Sequence, residues 1–440
     1  MNISIIGTGY VGLVSGACLA DLGNTVTCID TNKTKIQNIK KLELPFYEPS
    51  LQEIVERNVQ EGRLFFESNY TNISSSEIIF LCIDTPKGIS GKPNLINFNK
   101  AIDSIIDNIN TSVVIATKST VPLGTNKEII AKLREKLKRS KDIAVEVCSN
   151  PEFLKEGSAV NDFLRPERII VGAQSESVFD LMTTLYMPLN RKSNRLIKMS
   201  IESAEITKYA ANAFLATKIS FINQIAKISE KVGGNIHEIR HGIGSDSRIG
   251  KDFLYAGLGF GGSCFPKDIQ ALIEIEKSLD LDASLLEAVI KINHDQVNFF
   301  INKIIEIYRG NLHTKSILVW GMSFKPNTDD IRESVAIDFL AKIQGKVKKV
   351  YVYDPVVKSL PEKLKKLNII KLESQYQHIE DCDALVLCTE WKQFWNPNLQ
   401  LLDRLKDKFI FDGRNVLDAD ILEKNNFKYL GIGLNTSLNK

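Results

Sequence analysis

Cys264 stands in the segment GFGGSCFPKD, behind Gly259, Gly261 and Gly262 and just ahead of Lys267 and Asp268. A thiol placed there has the surroundings of a nucleophile. Nearby positive charge and a helix N-terminus after Pro266 both favour the thiolate, the reactive form. The alternative is a cysteine packed beneath a glycine turn. A second pair, Lys208 and Asn212, lies four residues apart and so on one face of a helix. The surrounding run YAANAFLA is small and apolar, so both polar side chains need partners. A lysine can stabilise an alkoxide or donate a proton, and an asparagine can orient a hydroxyl or a water. A third set, Gly7, Gly9 and Gly12 of GTGYVG, has the spacing that accepts a dinucleotide pyrophosphate. A bound NAD together with a thiolate suggests more than alcohol oxidation. Hydride removal from a primary alcohol gives an aldehyde, and thiolate addition gives a thiohemiacetal. A second hydride removal gives a thioester, which water converts to a carboxylate. Asp268 joins Lys208 and Asn212 as a group that could manage protons and the oxyanion. The five histidines (His237, His241, His294, His313 and His378) all fall outside these motifs, which argues against a histidine-based dehydrogenase.

Strands and helices must position these groups. Residues 3–6 read as a buried strand, GTGYVG follows at once, LVSGACLADLG is helical up to Gly23, and NTVTCID is a second strand ending in Asp30. In such a unit Gly7 serves the tight turn, Gly9 the close approach of the pyrophosphate, and Gly12 the packing of helix on strand. Tyr10 and Val11 lie along the same turn, whose helix start presents N–H groups to phosphate. Asp30, 18 residues past Gly12, suits a ribose diol and repels a 2′-phosphate, which favours NAD; Lys33 and Lys35 weaken that preference. The alternation continues. SEIIFLCIDTP (76–86) brings Thr85, SVVIATKSTVPLGT (112–125) brings Thr120, and IAVEVCSNPEFLKEG (143–157) brings Glu152 and Glu156. All would lie outside the carboxyl ends of strands, where doubly wound sheets bind ligands. The plainer readings are a turn residue for Thr120 and a helix N-terminal charge preference for the two glutamates.

From Ile201 to Lys231 the pattern is helical, with the glycines at 233–234 to end it. A helix that long could join two domains and supply a subunit interface. The glycine-dense stretch after it reads as loop, with Arg248 a candidate anion ligand. KSILVWGMSFKPNTDDIRES (315–334) then repeats the order strand, glycine, loop, helix, and three further strands follow. Lacking its own G-x-G-x-x-G, this second Rossmann-like unit is expected to hold another nucleotide, such as the UDP part of a substrate. Lys325, Arg332 and Arg414 suit phosphate, unless they pair with Asp329, Asp330 or Asp412. The expected fold class is α/β, with two Rossmann-like doubly wound domains joined by a long central helix and a helical domain. The expected boundaries are 1–196 for the NAD-binding domain, 197–300 for the central domain with the cysteine loop, and 301–440 for the UDP-sugar domain. The closing LNTSLNK is expected to fray.

Whole-chain totals bound the function. A chain of 440 residues exceeds one ordinary core. Its net charge of +3 comes without long basic runs, so neither nucleic acid nor a membrane surface is an expected partner. No signal-peptide pattern and no long apolar span are evident. Of seven cysteines, Cys18, Cys28, Cys82, Cys148, Cys382 and Cys388 lie in apolar runs and read as small buried hydrophobes. The odd total of seven and the scattered spacing fit a reduced cytoplasmic protein, and no metal is expected.

The segments IIGTGYVGLVSG, STVPLGT, NPEFLKEGSAVNDFLRPERIIVG, KYAANAFLATKISFINQIA, GFGGSCFPKD and SFKPNTDDIRES together resemble the UDP-glucose 6-dehydrogenases, in order and over nearly the whole chain. The resemblance implies four-electron oxidation of UDP-glucose to UDP-glucuronate with two NAD per sugar. It implies Cys264 as nucleophile, Lys208, Asn212 and Asp268 as catalytic partners, and Thr120 and Glu156 positioning water. Glu152, Phe153, Leu154, Lys155, Glu156, Phe253, Leu254, Tyr255, Ala256, Gly257, Gly261 and Lys325 would line the sugar-nucleotide site. Gly7 to Gly12, Asp30, Lys35, Thr85, Lys267 and Arg332 would lie along NAD. Arg248 would reach the substrate of a neighbouring subunit, since family members are dimers or larger built on the long helix. GDP-mannose and UDP-N-acetylmannosamine dehydrogenases stay open as alternatives. So do a β-hydroxyacid dehydrogenase, which needs no Cys264, and a non-catalytic sensor of NAD and sugar nucleotide.

Overall fold

The computed structural model describes residues 1–86, 88, 93–136, 143–190 and 193–434. The tail expected to fray lies outside these from residue 435 on. The chain divides into two compact units, Met1–Ala211 and Asn212–Lys440.

The first unit is built on eight strands: β1 (Asn2–Ile6), β2 (Thr25–Ile29), β3 (Leu64–Glu67), β4 (Ile78–Leu81), β5 (Val113–Thr117), β6 (Val145–Ser149), β7 (Ile169–Gly172) and β8 (Leu196–Met199). Their order is β3-β2-β1-β4-β5-β6-β7-β8. All pairs are parallel except β6 with β7. β4 and β5 are buried along their whole length, as apolar runs covered by helices on both faces must be. Successive residues feed opposite faces. Ile3, Ile5, Ile78 and Phe80 join the core under the Tyr10–Asp21 and Leu51–Gln60 helices. Ile6, Ile79 and Leu81 join the core under Ile96–Asn108 and Thr125–Lys136. The strand order reverses between β1 and β4, which opens a crevice at their carboxyl ends.

In the second unit β9 (Ser316–Trp320), β10 (Lys349–Tyr353), β11 (Ile369–Lys371), β12 (Ala384–Leu387), β13 (Phe409–Asp412) and β14 (Lys428–Leu430) form an all-parallel sheet. Its order, β11-β10-β9-β12-β13-β14, repeats that of the first six strands. So the second Rossmann-like unit expected from the sequence is present. The helices Phe265–Ser278 and Ser284–Tyr308 precede this sheet. The long helix runs Ile201–Val232, beginning in the first unit and continuing in the second. Among the described residues no helix is long and apolar enough to cross a membrane.

Candidate functional site

In the first unit β1 leads straight into Gly7, whose φ of +97° is one that side chains rarely adopt. A Cβ on Gly12 would meet the Gly7 carbonyl oxygen at 1.8 Å, so only glycine lets the helix sit on the turn. Gly9 differs. Its φ of −73° is ordinary, and a Cβ there would meet nothing nearer than the Asp84 carboxylate at 3.5 Å. Neither backbone nor packing demands glycine at position 9. It is the N-cap of Tyr10–Asp21 and carries no capping side chain, so the helix start has room for a phosphate. That fits a dinucleotide. A Gly9→Ala variant is therefore expected to keep its thermal midpoint while NAD binding weakens about tenfold or more (about 1.4 kcal/mol). Gly12→Ala should instead lower the midpoint; calorimetry and an NADH fluorescence titration separate the two.

Asp30 closes the crevice. Its Oδ2 accepts from the Thr8 N–H at 3.0 Å, the Thr8 hydroxyl at 2.8 Å and Lys35 Nζ at 2.7 Å. Partial burial works to raise its pKa, but these donors and the Asn32 N–H outweigh it and hold the carboxyl below its usual value. Lys35 is thus drawn onto Asp30. The Thr85 hydroxyl donates to the Thr120 carbonyl at 2.7 Å, which ties the ends of β4 and β5 together.

Lys208 and Glu152 meet in the interior of the same unit. Lys208 Nζ donates to the Glu152 carbonyl at 2.7 Å and to Glu152 Oε1 at 2.8 Å, with both side chains buried. The ammonium lies 5.3 Å from the centre of the Phe153 ring, whose face also carries Arg168 at 4.0 Å. The Leu154 N–H donates to Glu152 Oε2 at 2.6 Å. Burial would raise the Glu152 pKa, but Lys208, the Leu154 N–H and Lys118 together bring it below the ordinary value. Lys155 is exposed and pairs with Asp162 at 3.3 Å, and Glu156 is half-buried.

In the second unit Cys264 is the N-cap of Phe265–Ser278 and is exposed, while the other six cysteines are buried. The helix begins at Phe265, one residue before Pro266 rather than after it, which puts the thiol itself at the N-cap. Its neighbour Ser263 has its hydroxyl 3.7 Å from the thiol. Asp268, in the first turn, is 1% exposed and takes two donors: Asn212 Nδ2 at 2.6 Å and Lys267 Nζ at 2.8 Å. The Lys267 charge is therefore shared with a carboxylate. Lys208 and Asn212 are both buried and partnered, as polar side chains in so small and apolar a run must be.

The backbone before the thiol is held by amide side chains. Asn293 Oδ1 accepts from the Phe260 N–H at 2.8 Å and its Nδ2 donates to the Phe260 carbonyl at 3.0 Å. The Gly257 N–H donates to Asn223 Oδ1 at 2.8 Å, and Gln296 Nε2 donates to the Gly257 carbonyl at 2.9 Å. A Cβ on Gly261 would strike the Glu333 carbonyl oxygen at 2.2 Å. Leu254 and Ala256 are buried, Tyr255 is exposed, and Phe253 has a φ of +62°. Arg414 donates to the carbonyls of Cys388 at 2.8 Å and Gly259 at 3.2 Å, and it pairs with Glu390 at 3.2 Å. The acids named as its possible partners do not hold its guanidinium. Asp412 instead accepts from the Arg414, Val416 and Leu417 N–H groups. Arg332 and Arg248 are exposed, and each pairs at 2.6 Å with the acid two residues before it, Asp330 and Asp246. Lys325 Nζ lies 5.2 Å from the centre of the Phe324 ring. Asp354, the acid just after β10, accepts from the Met322, Ser323, Val356 and Val357 N–H groups, much as Asp30 after β2 accepts from those of Thr8 and Asn32.

Sequence reasoning missed Glu48, Lys118, Asn223, Asn293 and Gln296. Lys118 is buried between the Phe80 and Phe163 rings, at 5.8 Å and 5.7 Å from their centres, and donates to Asn150 Oδ1 at 3.2 Å. The available signal was a polar residue on an apolar helix face, such as Asn293 and Gln296 within IKINHDQVNFF.

Three profiles of one family match the chain: "UDP-glucose/GDP-mannose dehydrogenase family, NAD binding domain" over residues 1–190, its central domain over 202–295, and its UDP binding domain over 318–419. The UDP-glucose 6-dehydrogenase of Rickettsia felis is 40% identical over 98% of this chain and 96% of its own length. That of Pseudomonas aeruginosa is 37% identical over 98% and 97%. The UDP-glucose dehydrogenase of Pyrobaculum islandicum has a similar structure, with a TM-score of 0.87 at 30% identity over 98% of both chains.

Proposed function

Since the chain belongs to the UDP-glucose/GDP-mannose dehydrogenase family, we propose that it oxidises the primary alcohol of UDP-glucose to the carboxylate of UDP-glucuronate. The observation that carries this reading is the exposed thiol at a helix start, in the same turn as a buried aspartate held by Asn212 and Lys267. A simple alcohol dehydrogenase has no use for that thiol.

Bound NAD supplies a hydride acceptor, once for each of two cofactors. The Gly7–Gly12 turn holds its pyrophosphate, Asp30 its ribose, and Lys35, Thr85, Lys267 and Arg332 lie along it. Glu152 to Glu156, Phe253 to Gly257, Gly261, Lys325 and Arg414 bind the sugar nucleotide, and Arg248 reaches that of a neighbouring subunit. Lys208, fixed by its two bonds to Glu152, stabilises the alkoxide as the first hydride leaves carbon. Cys264 adds to the aldehyde: the C–S bond forms and the carbonyl electron pair moves to oxygen, stabilised by Lys208 and Asn212. Loss of the second hydride gives the thioester. Water positioned by Thr120 and Glu156 then attacks, the C–S bond breaks, and the thiol is restored, with Asp268 as the proton relay. One alcohol, one water and two NAD become one carboxylate, two NADH and three protons.

The test counts NADH at 340 nm per molecule of limiting UDP-glucose, with NAD in excess. Two per sugar supports the reading, and one reduces the protein to an alcohol dehydrogenase. None, with turnover of GDP-mannose or UDP-N-acetylmannosamine, moves it to another substrate of the family.

A second copy of the chain completes the assembly in this reading. Phe214, Phe221 and Ile228 recur every seven residues on the long helix and are 66%, 49% and 53% exposed. A repeat of that period on one helix fits an apolar seam between helices. Replacing Phe214 and Phe221 with glutamate should shift sedimentation from dimer or larger toward monomer. The six buried, unpaired cysteines fit work in the cytoplasm.

A further inference from the structure

Glu48 belongs to none of the motifs above, yet it bridges two of them. It is 5% exposed, and its carboxylate accepts from the Gly157 N–H at 2.6 Å, the Ala159 N–H at 2.7 Å and the Tyr10 hydroxyl. The Gly157 N–H also lies 3.1 Å from the Tyr10 oxygen. Two residues before Glu48, the Phe46 ring packs on Tyr10 at 4.8 Å between centres. Tyr10 is the first residue of the helix that follows Gly9. Gly157 directly follows Glu156, and Ala159 opens the Ala159–Leu164 helix, whose first N–H groups need an acceptor. The Glu156 carboxyl is near enough to the Tyr10 hydroxyl to help burial and Glu48 push its ionisation up.

We propose that Glu48 is a positioning residue: it clamps the backbone of residues 156–159 onto Tyr10 of the nucleotide turn and so aims Glu156 for the hydrolysis of the Cys264 thioester. This rests on the role given to Glu156 above. In that step water oxygen bonds to the acyl carbon, the C–S bond breaks and the sulfur regains a proton, with no change of oxidation state. Gln at position 48 keeps one carbonyl oxygen, but its NH2 group faces donors instead of accepting from them. The segment then shifts, and an ångström-scale misplacement costs about 100-fold.

The test mixes enzyme with UDP-glucose and NAD and reads intact protein mass and the NADH burst. Glu48→Gln is expected to give a burst of NADH close to two per enzyme, a steady rate about 10- to 100-fold lower, and a UDP-glucuronyl adduct on Cys264. A merely structural role would lower burst and steady rate together and leave no adduct. Glu156→Gln is the control. An adduct with Glu156→Gln but none with folded Glu48→Gln overturns the inference and leaves the reading of the site intact. No adduct with either removes the role of Glu156 and the inference with it. Should Glu48→Gln fail to fold, Tyr10→Phe removes one bond of the clamp. It is expected to show the same adduct at lower occupancy, and its absence overturns the proposal.

Discussion

Replacing Cys264 with alanine is expected to abolish conversion of UDP-glucose to the acid while leaving the fold untouched. The side chain is exposed, and at the N-cap it makes no capping hydrogen bond, so its loss should change stability by no more than about 0.5 kcal/mol. Its chemistry has no substitute. Without sulfur the aldehyde has no covalent path to the acid, and steady-state formation of UDP-glucuronate should fall by about 10⁴-fold or more, the scale of nucleophile removal elsewhere. Cys264→Ser sharpens the result, because a hydroxyl of ordinary acidity is a poor nucleophile and a poor leaving group. Full activity in the serine variant would point to a dehydrogenase of the β-hydroxyacid type. Two NADH per sugar in the alanine variant, at an undiminished rate, would deny the thiol any acyl-carrying role.

What the sequence made legible was local. Gly7 and Gly12 could be assigned because a positive φ and a helix pressed on that turn are set within a dozen residues, although a Cβ on Gly7 would also meet the Cys82 carbonyl oxygen at 2.6 Å. The all-parallel sheet of the second unit was readable from buried runs such as SILVW and ALVL, which carry apolar residues on both faces. The need of Lys208 and Asn212 for partners was legible, but the partners were not. Glu152 and Asp268 each lie 56 residues away in the chain, and only tertiary folding decides such meetings. Glu48 escaped notice for the same reason, since the N–H groups that donate to it sit 109 and 111 residues downstream. Arg414 shows the converse error. Asp412 is its neighbour in sequence, but the turn's own N–H groups fill that carboxylate, and Glu390 takes the guanidinium.

Glu152→Leu is expected to destabilise the protein by about 3–5 kcal/mol, because it leaves the Lys208 ammonium buried without its carboxylate. Denaturant unfolding of the full chain measures this. The difference should depend on pH with a definite sign. The Glu152 pKa is depressed in the folded protein, since Lys208 and the Leu154 N–H outweigh burial. A depressed carboxylate gives stability that is fully present above its unfolded value, about 4.3, and lost as pH falls through the folded value. The gap between wild type and Glu152→Leu should therefore be constant near neutrality and narrow below about pH 4. A gap that widens on acidification would mean the pair is not ionised as described. Lys208→Met should also destabilise, by stranding the carboxylate, which then takes up a proton at higher pH. Combining the two substitutions replaces a buried ion pair with apolar side chains, a change that is often neutral or better for folding. The double variant is thus expected to regain most of the stability lost by either single one, yet to form no NADH from UDP-glucose. Recovered folding without activity would assign the pair to the chemistry of the alkoxide. A double variant as unstable as the single ones would instead make the pair a structural strut, and the alkoxide would need another stabilising group.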